Sequence, residues 1–472
     1  MNMKFHYYIL SILIALPVIF SSCESFLDVN PDGQEKQEEL LSTRDGIESA
    51  MYGVYSKLRE SSLYGASMTY KHLDVLAQHF DCSGNDMYTQ LGLYNYAHSD
   101  VKSIFEAIWT SMYNNISNVN AIINCDLVKN AERFPYTIYK GEALGLRAFM
   151  HFDLLRLFTE QITLNKSASG IPYATEFSLN TPEFSTAADV YKYIIADLLE
   201  AESLLADEDE YANESNFMLD RKIHFNLHAV RATLARVYLT MGNMENAAKY
   251  ASMVIDKSTH SLTEKIDVEG DLAGVLSNTE TIWGVYYAEF YSLVNPTLQQ
   301  YQSRSSLSPR RDYTDIFNKN LDGLDFRLDA YFGSVGESIR FIKLTNIYEL
   351  RGIASSKPSD LILGINMIRL PEMYYIMAEA LLDSDIELAT KYFNAVIEHR
   401  GLTAIDQRVN ALNLTMELIK DERYKEFWGE GQSFFNLKRT NSAISLPDGS
   451  LVQPSNATFV VPIPDIEFDY RN

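Results

Sequence analysis

From Thr43 onward, apolar residues recur at three- and four-residue spacing, the period of an amphipathic helix. Ile47, Met51, Val54, Tyr55 and Leu58 make one stripe, and Ile104, Ile108, Met112, Ile116, Val119, Ile122 and Ile123 make another. Ala143 to Phe158 and Val190 to Leu205 predict two more helices. The segments between them differ in kind. Residues 61–100 are rich in Gly, Ser, Asn, Asp and Tyr, and residues 161–187 carry Pro172 and Pro182. Residues 258–365 hold short β-like runs, Thr281–Tyr287 and Ile339–Leu344, broken by Pro296, Pro309 and several glycines. The pattern predicts a mainly α chain: a helical scaffold with long loop-rich insertions, near 61–100 and 258–365, and a few short β-strands. Loops on a rigid frame are where binding concentrates.

Leu234–Ile255 and Met377–Ile397 resemble each other. With one residue gapped in the inter-helix turn, Ala235, Glu245, Ala247, Lys249, Tyr250, Val254 and Ile255 align with Ala378, Glu387, Ala389, Lys391, Tyr392, Val396 and Ile397. Small alanines let two helices approach and an aromatic fills the space beside them, which predicts tetratricopeptide-like helical pairs. About a hundred residues separate the copies, so the scaffold makes excursions.

The amino terminus has another character. Lys4 precedes the apolar run Tyr7–Phe20, which is the length of a signal-peptide core and too short to span a bilayer comfortably. It ends in Phe20-Ser21-Ser22-Cys23, an order similar to a lipobox with Cys23 as the acylated residue. The expected division is a lipoprotein signal at 1–22, a polar lipid-anchored tether at 23–42, and one folded body at 43–472. An ordinary secretory signal ending near a cysteine is the alternative.

Asp plus Glu total 63 against 40 Lys plus Arg, a formal charge of −23. Such a surface repels phosphate, so a nucleic-acid partner is excluded. Three cysteines, Cys23, Cys82 and Cys125, build neither a disulfide scaffold nor a four-cysteine zinc site. Phosphate-binding glycine loops, H-E-x-x-H and G-x-S-x-G are missing, so no cofactor is expected. His72, His79 and Cys82 are close in sequence but lack a fourth ligand at a familiar interval, which favours local polar roles. Asp207-Glu208-Asp209-Glu210 reads as a solvated helix end.

Tyrosine stands out, with 30 Tyr and 24 Phe against three Trp. Tyr88, Tyr94 and Tyr96 share a polar stretch with Asp81 and Asn85. Tyr286, Tyr287, Phe290, Tyr291 and Tyr301 accompany Gln299, Gln300, Gln302 and Arg304. Aromatic faces stack on sugar rings while carboxylate, amide and guanidinium groups take the hydroxyls. The candidate ligand-binding residues are therefore Asp81, Asn85, Tyr88, Tyr94, Tyr96, Phe290, Tyr291, Tyr301 and Arg304. Each tyrosine has an alternative role as a half-buried packing residue, and Trp283 reads as core.

Several separated motifs carry a wider resemblance. They begin with Cys23-Glu24-Ser25-Phe26-Leu27-Asp28 and Pro31 and continue with Gly141-Glu142-Ala143-Leu144 through Arg147 to Phe158. Arg369-Leu370-Pro371-Glu372-Met373-Tyr374-Tyr375, Ala378-Glu379-Ala380 and Arg400-Gly401 follow. Glu422-Arg423, Glu426-Phe427, Glu430-Gly431, Phe434 to Arg439, and Pro462-Ile463-Pro464 with Glu467 close the series. In this order they resemble the SusD/RagB family of outer-membrane lipoproteins. The resemblance implies a non-catalytic, surface-exposed glycan-binding lid that delivers oligosaccharide to a SusC-like TonB-dependent transporter. It also implies that Arg147, Asp153, Arg156, Glu422 and Arg423 serve the scaffold as ion-pair and capping partners. A peptide-binding lid of the same architecture is the second reading, and a secreted glycoside hydrolase on a helical scaffold is the third.

Overall fold

The computed structural model describes residues 37–82, 85–178, 182–263, 276, 279–298, 306–319, 322–345, 362–469 and 471. The first predicted stripe forms α1 (Arg44–Leu58), whose start is capped by Thr43 accepting from the Gly46 N–H. Next come α2 (His72–Leu76), β1 (Phe80–Asp81), α3 (Asp86–Gly92), α4 (Ser99–Asn124) and α5 (Tyr136–Phe158). After β2 (Ser169–Pro172) and β3 (Phe184–Thr186), α6 (Ala187–Leu204), α7 (Leu227–Thr240) and α8 (Met244–Lys257) follow. Helix α1 packs on α4, α4 on α5, α5 on α6, α6 on α7 and α7 on α8.

The chain then leaves the helical stack and returns. It makes β4 (Thr281–Tyr286), α9 (Phe290–Leu298), β5 (Ser308–Pro309), α10 (Tyr313–Asn318), α11 (Phe326–Tyr331), β6 (Phe332–Val335), β7 (Ser338–Phe341) and β8 (Gly364–Arg369). Helices α12 (Leu370–Ala380) and α13 (Ile386–Glu398) form the second copy of the repeated pair, and α12 lies directly against α8. The two copies, far apart in sequence, are neighbours in space. Ala235, Ala247, Ala378 and Ala389 are all fully buried, as close helix approach requires. Helices α14 (Met416–Glu426) and α15 (Gln432–Arg439) complete the body with the small hairpin β9 (Ile444–Ser445) and β10 (Leu451–Val452).

Both predicted β-runs are strands. The first is β4, which pairs antiparallel with β8, Val285 opposite Ile365; the second is β7, which pairs with β6. Trp283 of β4 is fully buried. Among the described residues no helix is long and apolar enough to cross a membrane.

Helix α5 is buried on every side from Gly141 to Phe158. At Gly145 a Cβ would sit 2.5 Å from the Phe225 ring, so only glycine lets this ring approach. Gly145→Ala is expected to cost about 1–3 kcal/mol by overpacking, read as a lowered melting temperature.

Two sequence expectations need correction. Residues 63–80 are not an exposed insertion. Leu63, Tyr64, Met68, Tyr70, Leu73, Val75, Leu76 and Phe80 are all core, because successive turns satisfy their own backbone, as in Met68 N–H to Leu63 O at 2.9 Å. Glu208 is not solvated either: it is buried, pairs with Arg221 at 2.5 Å, and accepts from the Leu227 N–H.

The α5 charges are partnered inside the protein. Arg147 pairs with Asp197 at 2.7 Å and Arg156 with Asp153 at 2.7 Å. Farther along, five cations and five carboxylates form one connected lattice. Arg327 meets Asp325, Glu422 and Glu426; Arg400 meets Glu280 and Glu426; Arg369 meets Glu280, Glu426 and Glu430. Lys343 joins through Glu430 and Lys425 through Glu422. Its charges cancel.

Candidate ligand-binding face

Strand β1 emerges from the core and pairs with β5, Asp81 opposite Ser308 and Phe80 opposite Pro309. The residues before it are fixed from several sides. The buried Asp74 carboxylate accepts from the Gly429 and Gly431 N–H groups and meets the His79 ring at 2.9 Å. His79 stacks on Trp428 with ring centroids 4.3 Å apart. Burial lowers its pKa, against the opposing pull of Asp74. Arg310 donates to the carbonyls of Gln78 and Ser445 and to the Tyr424 hydroxyl, while its guanidinium pairs with Asp312. The Tyr424 hydroxyl in turn donates to the Ala77 carbonyl.

The predicted residues divide sharply on this frame. Asp81 is exposed at the end of β1. Asn85 caps α3, its side chain accepting from the Tyr88 N–H. Tyr88, Tyr96 and Phe290 are core residues, with 1%, 7% and 1% of their surface exposed, so their rings offer no face to a ligand. The Tyr96 hydroxyl is spent on the Thr458 carbonyl. Tyr94 is half-buried in a left-handed backbone conformation; its hydroxyl donates to Leu76 O and accepts from the Gln78 amide. Truncating Tyr94 thus removes internal bonds, which matches the alternative role of a half-buried packing residue. Tyr291 is half-buried beside Phe290. Tyr301, Arg304 and Cys23 lie outside the described residues.

The two loop segments do meet. Tyr70 interacts with Tyr88 of the first and Tyr287 of the second, and hydrogen-bonds Thr297 of α9. At the end of β4, Tyr286 is 47% exposed and Tyr287 is half-buried under the Arg59 guanidinium, 5.0 Å from the ring centroid. Half-buried Tyr291 follows at the start of α9. Beside β5, a cleft of about 790 Å³ runs between α10, α14, α15 and the β9–β10 hairpin, walled by Arg310, Tyr424, Lys420, Asp421, Ser442 and Ile316 among others. That volume suits a small oligomeric ligand, and its mixed polar walls suit hydroxyl groups.

The cleft is hidden in the sequence because its Tyr424 and Lys420 lie in a helix whose pattern reads as scaffold. Arg59, at the end of α1, is hidden for the same reason. His72, His79 and Cys82 are not gathered around a common point. The His72 ring bonds Ser67, and both Cys82 and Cys125 are free thiols. Among the described residues no group of three or more His, Cys, Asp or Glu side chains is placed to hold a metal.

Known proteins place this architecture. Residues 25–239 match the family described as starch-binding and associating with the outer membrane, and residues 354–450 match the SusD family. SusD-like protein P2 of Formosa agariphila is 24% identical across 94% of each chain. A SusD superfamily protein from Bacteroides thetaiotaomicron superimposes with a TM-score of 0.72 at 24% identity, covering 90% of this chain and 97% of that one. A SusD-like carbohydrate binding protein from Bacteroides vulgatus gives 0.71 at 20% identity, covering 90% and 96%. Matched by two SusD-type family models over separate stretches, and by SusD-like relatives along almost its whole length, the chain belongs to the SusD/RagB family.

Proposed function

We propose that the protein is a lipid-anchored, non-catalytic glycan-binding lid on the cell exterior. It is acylated at Cys23 and carries residues 43–472 as one body. It captures oligosaccharide and passes it to a SusC-like TonB-dependent outer-membrane transporter. The observation that carries the binding role is the exposed Tyr286 ring at the end of β4, followed by half-buried Tyr287 under the Arg59 guanidinium. Rings left half-exposed next to a charged donor offer the stacking surface that sugars use. Family membership and the outer-membrane association of that family support the partner and the location.

Affinity electrophoresis against a panel of neutral and acidic polysaccharides tests this reading. Tyr286→Ala is expected to weaken binding about tenfold or more while leaving the melting temperature nearly unchanged, and Tyr291→Ala to weaken binding with a modest loss of melting temperature, because its ring also packs on the core. Indifference to every polysaccharide, together with capture of peptides, replaces the glycan with a peptide cargo. Release of reducing ends by the purified protein replaces the lid with an enzyme.

A further inference from the structure

A small cavity of about 30 Å³ lies where α5, α7, α12, α14 and α15 converge, remote in role from the candidate binding face. Its walls include Arg156, Arg236, Arg423, Lys438 and Arg439, facing one buried carboxylate, Glu372. The nearby carboxylates are already committed. Asp153 serves Arg156 at 2.7 Å, Glu372 serves Arg236 at 2.6 Å, and Glu379 serves Arg439 at 2.5 Å. Among the described residues, five cations thus share three buried carboxylates and Glu160 at the rim, whereas the neighbouring lattice is balanced five against five.

Arg423 has the weakest arrangement. It is 5% exposed, and its ion-pair contact is with Glu372 at 4.0 Å. Its Nε and Nη1 have no hydrogen-bond partner among the described residues. Arg236 Nη1 and the Thr159 hydroxyl, also buried in this wall, are likewise without one. Lys438 spends its ammonium on the Arg156 and Leu157 carbonyls at the end of α5, with Glu160, at the half-buried rim, as a countercharge.

We infer that this cavity is a binding site for a small inorganic anion of halide size, held by Arg423 and Arg236 with the Thr159 hydroxyl. Buried guanidinium groups are costly without a counter-ion, and water satisfies their N–H groups without offsetting their charge. The space admits one or two waters or one monatomic anion. The electrostatics agree. Burial, with Arg439 and Arg236 nearby, pushes Arg423 down to about 10, and burial with Arg156 pushes Lys438 down to about 7. An anion seated there ties together five helices of the scaffold, so its effect falls on stability and not on cargo.

The test uses the whole purified protein. Melting temperature is followed while chloride replaces gluconate at constant ionic strength, and crystals soaked in bromide are examined for anomalous scattering. The expected results are a saturable rise of a few degrees in chloride, and a bromide peak against Arg423. A melting temperature that follows ionic strength alone, or a cavity holding only water, overturns the assignment. So does an Arg423→Met variant that folds and keeps the full halide response. If that variant does not fold, the two measurements on the unaltered protein decide.

Discussion

Glu426→Gln is expected to lower the unfolding free energy by about 3–5 kcal/mol, the cost of breaking a buried ion pair from one side. Glu426 is fully buried and meets Arg400 at 2.8 Å, Arg369 at 3.0 Å and Arg327 at 3.3 Å. The glutamine keeps the volume and one acceptor oxygen but leaves three guanidinium groups with a missing charge. Urea unfolding followed by tryptophan fluorescence measures the loss, since Trp428 lies two residues away. A loss below about 1 kcal/mol, the size typical of surface pairs, would show that water reaches the lattice.

The same residue sets an acid limit. Burial opposes its charge, but Arg400, then Arg369 and Arg327, hold its carboxyl well below the ordinary range. A carboxylate depressed in the folded state contributes its stability above the unfolded value, about 4.3, and loses it as pH falls toward the folded value. Glu280, Glu422, Glu372 and Glu379 are lowered in the same direction by facing arginines, against the penalty of burial. Stability therefore drops below about pH 4, and the Glu426→Gln variant, already missing one such group, falls less steeply there.

Asp74→Asn is the second large effect, about 3 kcal/mol or more. One Asp74 oxygen takes the Gly431 N–H at 3.0 Å, and the other takes the Gly429 N–H and the His79 ring. Asparagine has one acceptor oxygen, so its amide hydrogens face a backbone donor. Charge-assisted bonds in a site without exposed surface are worth about 1.5–3 kcal/mol each. The glycines leave no easy relaxation: both have positive φ, and a Cβ on Gly431 would meet the Met68 carbonyl at 2.1 Å. Thermal melts measure the loss. Because this junction fixes the approach to β1, glycan affinity should fall with it. Unchanged stability would mean that the 72–80 segment is held by its apolar packing alone.

Much of the frame is legible in the sequence because its information is periodic. The stripe from Ile47 to Leu58 and the run from Ile104 to Ile123 are helices α1 and α4, and the Ala235/Ala378 similarity is two contacting hairpins. Family motifs such as Arg147 and Asp153 are buried pairs, as the resemblance implies. Arg423 is buried with an ion-pair contact too, but a long one to Glu372 at 4.0 Å, because nearer carboxylates are already taken by other arginines. The face is less legible. Composition shows that tyrosines gather in two segments but not which way each ring points, so Tyr88 and Tyr96 look like Tyr286 in sequence. The turns of residues 63–80 read as a surface loop because their small and polar residues hide a backbone that bonds to itself. Strand β8 has no local signal of its own, because its partner β4 is some eighty residues away.

The β4–β8 ladder joins the two ends of the long excursion at Thr281 and Arg369, immediately before the chain resumes its helical stack. The stretch between those ends is also tied in elsewhere: β5 pairs with β1, and Arg327 and Lys343 reach the buried carboxylates of Glu422, Glu426 and Glu430. A graft spliced in at this ladder therefore has to import its own cations for those acids. Chimeras whose donor segment keeps an arginine at 327 and a lysine at 343 should fold, and those that drop both should not.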